Sequence, residues 1–80
     1  MELPLSALAR GRSAYISHIM ACGTMAQRIM ELGLLPGTHI SCELVSPAGD
    51  PAAYRVRGTL IALRAQDAQS IRVTPTEDVP

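Results

Sequence analysis

Apolar residues recur at Met25, Ile29 and Leu32, the spacing that gathers side chains on one face of a helix, and the pattern stops at Gly33. A glycine there suits the left-handed residue that closes many helices, so a helix is predicted over residues 24–32. Thr24 with Gln27 three positions on has capping-box spacing and marks the start. Pro36-Gly37 then supplies a fixed φ followed by a permissive residue, the order a type II turn requires. From residue 39 the period changes to two. Ile40, Cys42 and Leu44 fall on one face, predicted as core, and His39, Ser41, Glu43 and Val45 on the other.

The remaining pattern is strand-like and punctuated. Residues 14–20 read as a first strand with Ile16, His18 and Met20 on a common face. Pro47-Ala48-Gly49-Asp50-Pro51 is a loop by composition, after which Tyr54 and Val56 alternate with Arg55 and Arg57. Arg57-Gly58 marks a hairpin or bulge, residues 60–63 a fourth strand, 65–69 a tight helical turn and 71–73 a closing strand. Five short strands with one short α-helix inserted after the first predict a mainly β fold, a small SH3-like five-stranded barrel, over residues 1–74. Residues 75–80, with two prolines and two acids, read as a flexible C-terminal tail. A flat sheet carrying one helix on its face would have the same periodicity.

Composition narrows the function. Eighty residues make one small domain. The seven basic residues are all arginine and balance seven acids, so the overall field is weak and nucleic acid is not an expected partner. Phe and Trp are absent, which removes most stacking platforms and the aromatic lining of proline-rich peptide grooves. No basic leader or sustained apolar run is present, so neither a secretory signal nor membrane insertion is expected. Cys22 and Cys42 are too few for a disulfide framework and read as reduced thiols in a cytoplasmic setting.

Reactive constellations are missing. Ser17 and His18 are merely adjacent, and Gly33 and Gly37 follow a helix, whereas a phosphate-cradling loop precedes one and uses a lysine. The chain is therefore not expected to be an enzyme or to need a cofactor. His18, Cys22, His39 and Cys42 invite a metal site, but residues 18 and 22 lie ~13 Å apart on an extended strand and 39 and 42 face opposite sides. An ion shared between two molecules is left open, with His18, His39, Glu43 and Cys22 as speculative surface ligands of a weak, adventitious divalent metal.

Gln27-Arg28-Ile29, Leu32-Gly33-Leu34, Pro36-Gly37, Pro47-Ala48-Gly49-Asp50-Pro51, Arg57-Gly58, Ala62-Leu63-Arg64, Ala68 and Ile71-Arg72-Val73 stand in an order that resembles the ferrous iron transport protein A family, FeoA. The resemblance implies the same barrel and a cytosolic accessory protein of bacterial ferrous iron uptake. Its partner would be the FeoB-type permease, whose cytosolic GTP-binding domain would hold it at the inner membrane. Partner-facing residues are then expected at Arg28, Met30, Leu34 and Leu35, with Tyr54, Arg55 and Arg57 as a second surface. Met25, Ile29, Leu32, Gly33, Pro36 and Gly37 would support them. Two other readings stay open, a metal chaperone handing Fe(II) to the permease and a regulatory barrel related to the C-terminal domain of metal-dependent repressors. Self-association is also open.

Overall fold

In chain order the strands are β1 (Leu3–Pro4), β2 (Ser13–Ile19), β3 (His39–Val45), β4 (Ala52–Val56), β5 (Thr59–Leu63) and β6 (Ile71–Pro75). Helix α1 (Gly23–Glu31) follows β2, and a single turn, α2 (Ala65–Ala68), precedes β6. A computed structural model describes residues 1–76. The strands form one antiparallel sheet in the order β1-β6-β2-β3-β4-β5. The architecture is the mainly β, SH3-like one expected, with one strand more than the five predicted. The addition is β1, whose two residues pair with Val73 and Arg72 and are too short to carry a legible period.

The inner face of the sheet is the core. Ala14, Ile16, Ile40, Cys42, Tyr54, Val56, Ile71 and Val73 are all buried there, joined by Leu5 from a 3-10 turn, Leu5–Ala7, and by Leu8 just after it. Tyr54 donates its hydroxyl proton to the Leu5 carbonyl at 3.4 Å, which ties the N-terminal turn to the sheet. Loss of water around the phenol, with smaller contributions from Cys42 and Asp50, pushes its pKa from 10.0 up to about 12. The loop before β4 is also anchored, since Asp50 Oδ1 accepts the Ala65 N–H at 2.8 Å at the start of α2.

Two bulges overturn the alternation read from sequence. On β3 the pairing steps from Cys42 opposite Tyr54 to Leu44 opposite Ala53, leaving Glu43 as an extra residue. Every side chain beyond it changes face. Leu44, expected in the core, is 52% exposed, while Val45, itself 42% exposed, borders a small pocket with Leu8, Tyr54 and Leu63. On β2 the register slips between Ile16 and His18 at Ser17, so His18 and Met20 point outward and Ile19 packs on the core instead.

Helix α1 departs from expectation at its start and conforms at its end. It begins at Gly23 with Cys22 as N-cap and no side-chain cap, so Thr24 already lies inside the first turn and the capping box does not form. Gln27 Nε2 instead donates to Glu31 Oε2 at 3.4 Å. At the other end Gly33 adopts φ 85°, its N–H donates to Met30 O at 2.9 Å and the Leu34 N–H to Ile29 O at 3.2 Å. This is a complete Schellman closure. It carries Leu34 into the core beside Ile29, so Leu32, expected in the buried stripe, is left partly exposed as the C-cap.

Pro36-Gly37 forms the expected type II turn, with Gly37 at φ 90° and the Thr38 N–H donating to Leu35 O at 3.0 Å. Arg57 and Gly58 are the two loop residues of the β4–β5 hairpin, both at positive φ, as a type I′ turn demands. Pro75, expected in the tail, closes the last strand. Thr74 and Pro75 belong to β6 and the Thr76 N–H donates to Ser13 O at 2.9 Å; residues 77–80 lie outside the described residues.

Candidate functional site

The chain changes character between two adjacent leucines. Leu34 is wholly buried, so it is a core residue rather than a partner contact, because the helix closure turns it inward. Leu35 opens the type II turn and is 42% exposed. The second expected surface divides in the same way. Tyr54 alternates inward and is buried, which removes it from the surface, whereas Arg55 and Arg57 are exposed.

The helix separates another expected pair. Arg28 and Met30 are two residues apart, hence ~200° around the axis, and they leave α1 on opposite flanks of the stripe that buries Ile29. Met30 is 55% exposed and faces a groove of about 400 Å³ shared with Met20, Ala26, Leu35 and Pro36. Arg28 lines none of the grooves around Leu35. Met20, assigned by simple alternation to the face of Ile16, is 67% exposed in this groove because of the bulge before it.

A larger open groove of about 710 Å³ lies on the other side of the same turn. Leu35, Pro36 and Thr38 line one side, Arg55, Arg57 and Gly58 the other, and His39 and Ser41 of β3 lie between. Leu35 and Pro36 thus line both grooves and form a ridge between them. Two surfaces that were separate in the sequence reading, the helix end and the β4 arginines, meet across this ridge. His39 and Pro36 carry no signal of it beyond their turn and strand positions, since a groove is made by the distance between elements.

The groove is basic along one wall. Arg55 Nε lies 3.6 Å from Glu43 Oε1, and its Nη1 donates to the Gly58 carbonyl at 3.5 Å. Arg57 has no ion-pair partner among the described residues. His39 meets Tyr15 edge-on across the strand pair, with ring centroids 5.2 Å apart. Exposed ion pairs of this kind are worth only ~0.2–1 kcal/mol, so Arg55 is positioned rather than locked.

The speculative metal ligands are dispersed. His18 Nε2 pairs with Glu2 Oε2 at 3.1 Å, Glu43 faces Arg55, His39 faces Tyr15 and Cys22 is the helix N-cap. Among the described residues no three His, Cys, Asp or Glu side chains are grouped to hold an ion, and no polar or charged residue is buried. No described helix is long and apolar enough to cross a membrane.

These features define a small SH3-like domain with a pair of grooves about the Leu35–Pro36 turn. The chain belongs to the FeoA family, with the FeoA domain matching residues 3–75. A fusion of Fe(2+) transport protein A with the Fe(2+) transporter FeoB from Porphyromonas gingivalis is 35% identical over 69 residues, 86% of this chain and 8% of the fusion's length. The chain therefore spans a small fraction of that relative. The solution structure of iron(II) transport protein A from Clostridium thermocellum superposes with a TM-score of 0.89 at 30% identity, covering 92% of this chain and 46% of that one. The zinc complex of Stenotrophomonas maltophilia FeoA, described as a procaryotic SH3 domain protein, gives 0.77 at 28%, covering 91% and 88%. A manganese-dependent transcriptional repressor shares the fold alone, at 16% identity and a TM-score of 0.85 over 94% of this chain and 42% of that one. FeoA is an accessory family of ferrous iron transport, and the resemblance seen in the sequence is a family relationship.

Proposed function

We propose that this chain is a non-enzymatic, cytoplasmic accessory module of bacterial ferrous iron uptake that binds the cytosolic part of a FeoB-type permease and modulates it. The observation that carries this reading is the Porphyromonas gingivalis fusion, in which a related domain is part of the same polypeptide as FeoB. Covalent linkage replaces a bimolecular encounter with a high effective concentration and needs no new contact, so a separate chain can use the same surface. The binding face is the Leu35–Pro36 ridge with Met20 and Met30 on one side and Arg55 and Arg57 on the other. Exposed apolar side chains gathered in one groove mark such a surface better than scattered ones. Modulation follows when the module makes different contacts with two conformations of the permease.

Capture of the permease's cytosolic domain tests the reading, using the wild-type chain, Leu35→Asp on the ridge and Leu34→Ala as the fold control. Wild-type capture lost in Leu35→Asp at unchanged melting temperature supports it; absence of wild-type capture overturns it. The zinc held by the Stenotrophomonas maltophilia relative favours metal handling as a second reading. Calorimetry separates the two, since a chaperone releases heat with Fe(II) alone and a binding module with the permease domain alone.

A further inference from the structure

We propose that the larger groove takes an extended acidic segment of the partner, with one carboxylate held by Arg57 and Arg55 and the neighbouring apolar side chain seated across the Leu35–Pro36 ridge against Met30. The proposal rests on the binding-module reading above and names the chemistry of what is bound.

Charge complementarity is the first ground. Acids and bases balance over the whole chain, yet among the described residues this groove is lined by Arg55, Arg57 and His39 and by no acid. Glu43 faces Arg55 Nε, which leaves Arg57 as the groove guanidinium with no ion-pair partner among the described residues. An arginine has donors and no acceptor, and its planar fork matches a carboxylate in two parallel hydrogen bonds.

Position is the second ground. Arg57 sits at φ 53°, the one non-glycine residue at positive φ among the described residues. A glycine would occupy that hairpin position without strain, so the arginine brings a charged side chain to the rim at the expense of local backbone energy. The geometry of the walls supplies the third ground. A groove open between a turn and a hairpin admits an extended chain, and its ridge is shared with the apolar groove of Met20 and Met30, so a segment crossing it meets basic and apolar lining in succession. No aromatic side chain other than the His39 imidazole lines the larger groove, which disfavours both a proline-rich helix and stacked bases.

A fluorescein-labelled decapeptide of alternating glutamate and leucine tests this by anisotropy at low and high salt. Binding to the wild type, weakened by salt and absent for the glutamine-for-glutamate peptide, is expected. Arg57→Gly should weaken it about tenfold while leaving the melting temperature equal or higher, so the loss cannot be ascribed to unfolding. Arg64→Gln, which removes the same charge outside the groove, should leave it unchanged. Equal weakening in both variants, an unaffected Arg57→Gly, or equally tight binding of a single-stranded oligonucleotide overturns the proposal. Permease capture distinguishes its failure from that of the broader reading. Capture indifferent to Arg57→Gly overturns the acidic-segment proposal alone, whereas no capture with intact Arg57-dependent peptide binding overturns the permease reading and leaves the groove's chemistry standing.

Discussion

Ile29 and Leu34 are joined twice, by the 3.2 Å hydrogen bond from the Leu34 amide to the Ile29 carbonyl and by burial of both side chains in one core cluster. The bond closes α1, and the burial holds a helix of little more than two turns that could not persist alone in water. Gly33 makes the closure possible. Nothing crowds a Cβ there, but its φ of 85° strains any L side chain. Gly33→Ala is expected to cost ~1–2 kcal/mol, read as a drop of several degrees in melting temperature.

The two adjacent leucines should behave oppositely. Leu34→Ala opens a cavity in the core at a cost of ~2–5 kcal/mol, comparable to the whole stability of a domain this small, and should leave much of the chain unfolded by circular dichroism. Leu35→Asp, on the ridge, should change unfolding free energy by no more than ~0.5 kcal/mol while removing partner capture.

The β3 bulge makes a similar contrast along a single strand. Ile40→Ala should cost ~2–5 kcal/mol because Ile40 is fully buried. Leu44→Ala should cost less than ~1 kcal/mol, since the extra residue at Glu43 turns Leu44 to solvent. Urea denaturation of the pair measures the inversion directly. Equal losses would mean that Leu44 is packed inside.

Alkali should destabilise the fold through Tyr54. Its native pKa of about 12 exceeds the unfolded value near 10, so its full contribution is present below pH 10. As pH rises from 10 to 12 the unfolded chain releases the proton first and stability falls by about 2–3 kcal/mol in total. Cys42 adds a loss of the same sign beginning near pH 9, its thiol raised chiefly by burial. Tyr54→Phe should flatten the decline in urea midpoint across the alkaline range, and an unchanged slope would refute the assignment.

The two thiols should differ in reactivity. Cys22 is exposed at the helix N-cap and should react promptly with a disulfide reagent, whereas Cys42 is buried and should react only as the chain unfolds. Added urea should bring the second thiol to the rate of the first.

The local events of this fold were legible in the residues themselves. Gly33 ends a helix, Pro36-Gly37 turns the chain and Arg57-Gly58 makes a hairpin because each depends on torsion preferences within a few bonds. The mainly β class followed from their order and the SH3-like barrel from the family resemblance, while strict alternation along β4 placed Arg55 outward. Where pairing with a neighbouring strand inserts an extra residue, as at Ser17 and Glu43, alternation misleads, and Leu44 and Met20 were assigned to the wrong face for that reason.

The sequence by itself determined the turns, the helix end and the mainly β character of the chain, because steric and hydrogen-bonding preferences act between near neighbours along the chain. Only the tertiary structure decided which of Leu34 and Leu35 is exposed, that Arg28 and Met30 part company, and that Arg57 and Leu35 line one groove. Those relations depend on the register between strands and the spacing between a turn and a hairpin, which burial of the shared core sets and no local pattern encodes.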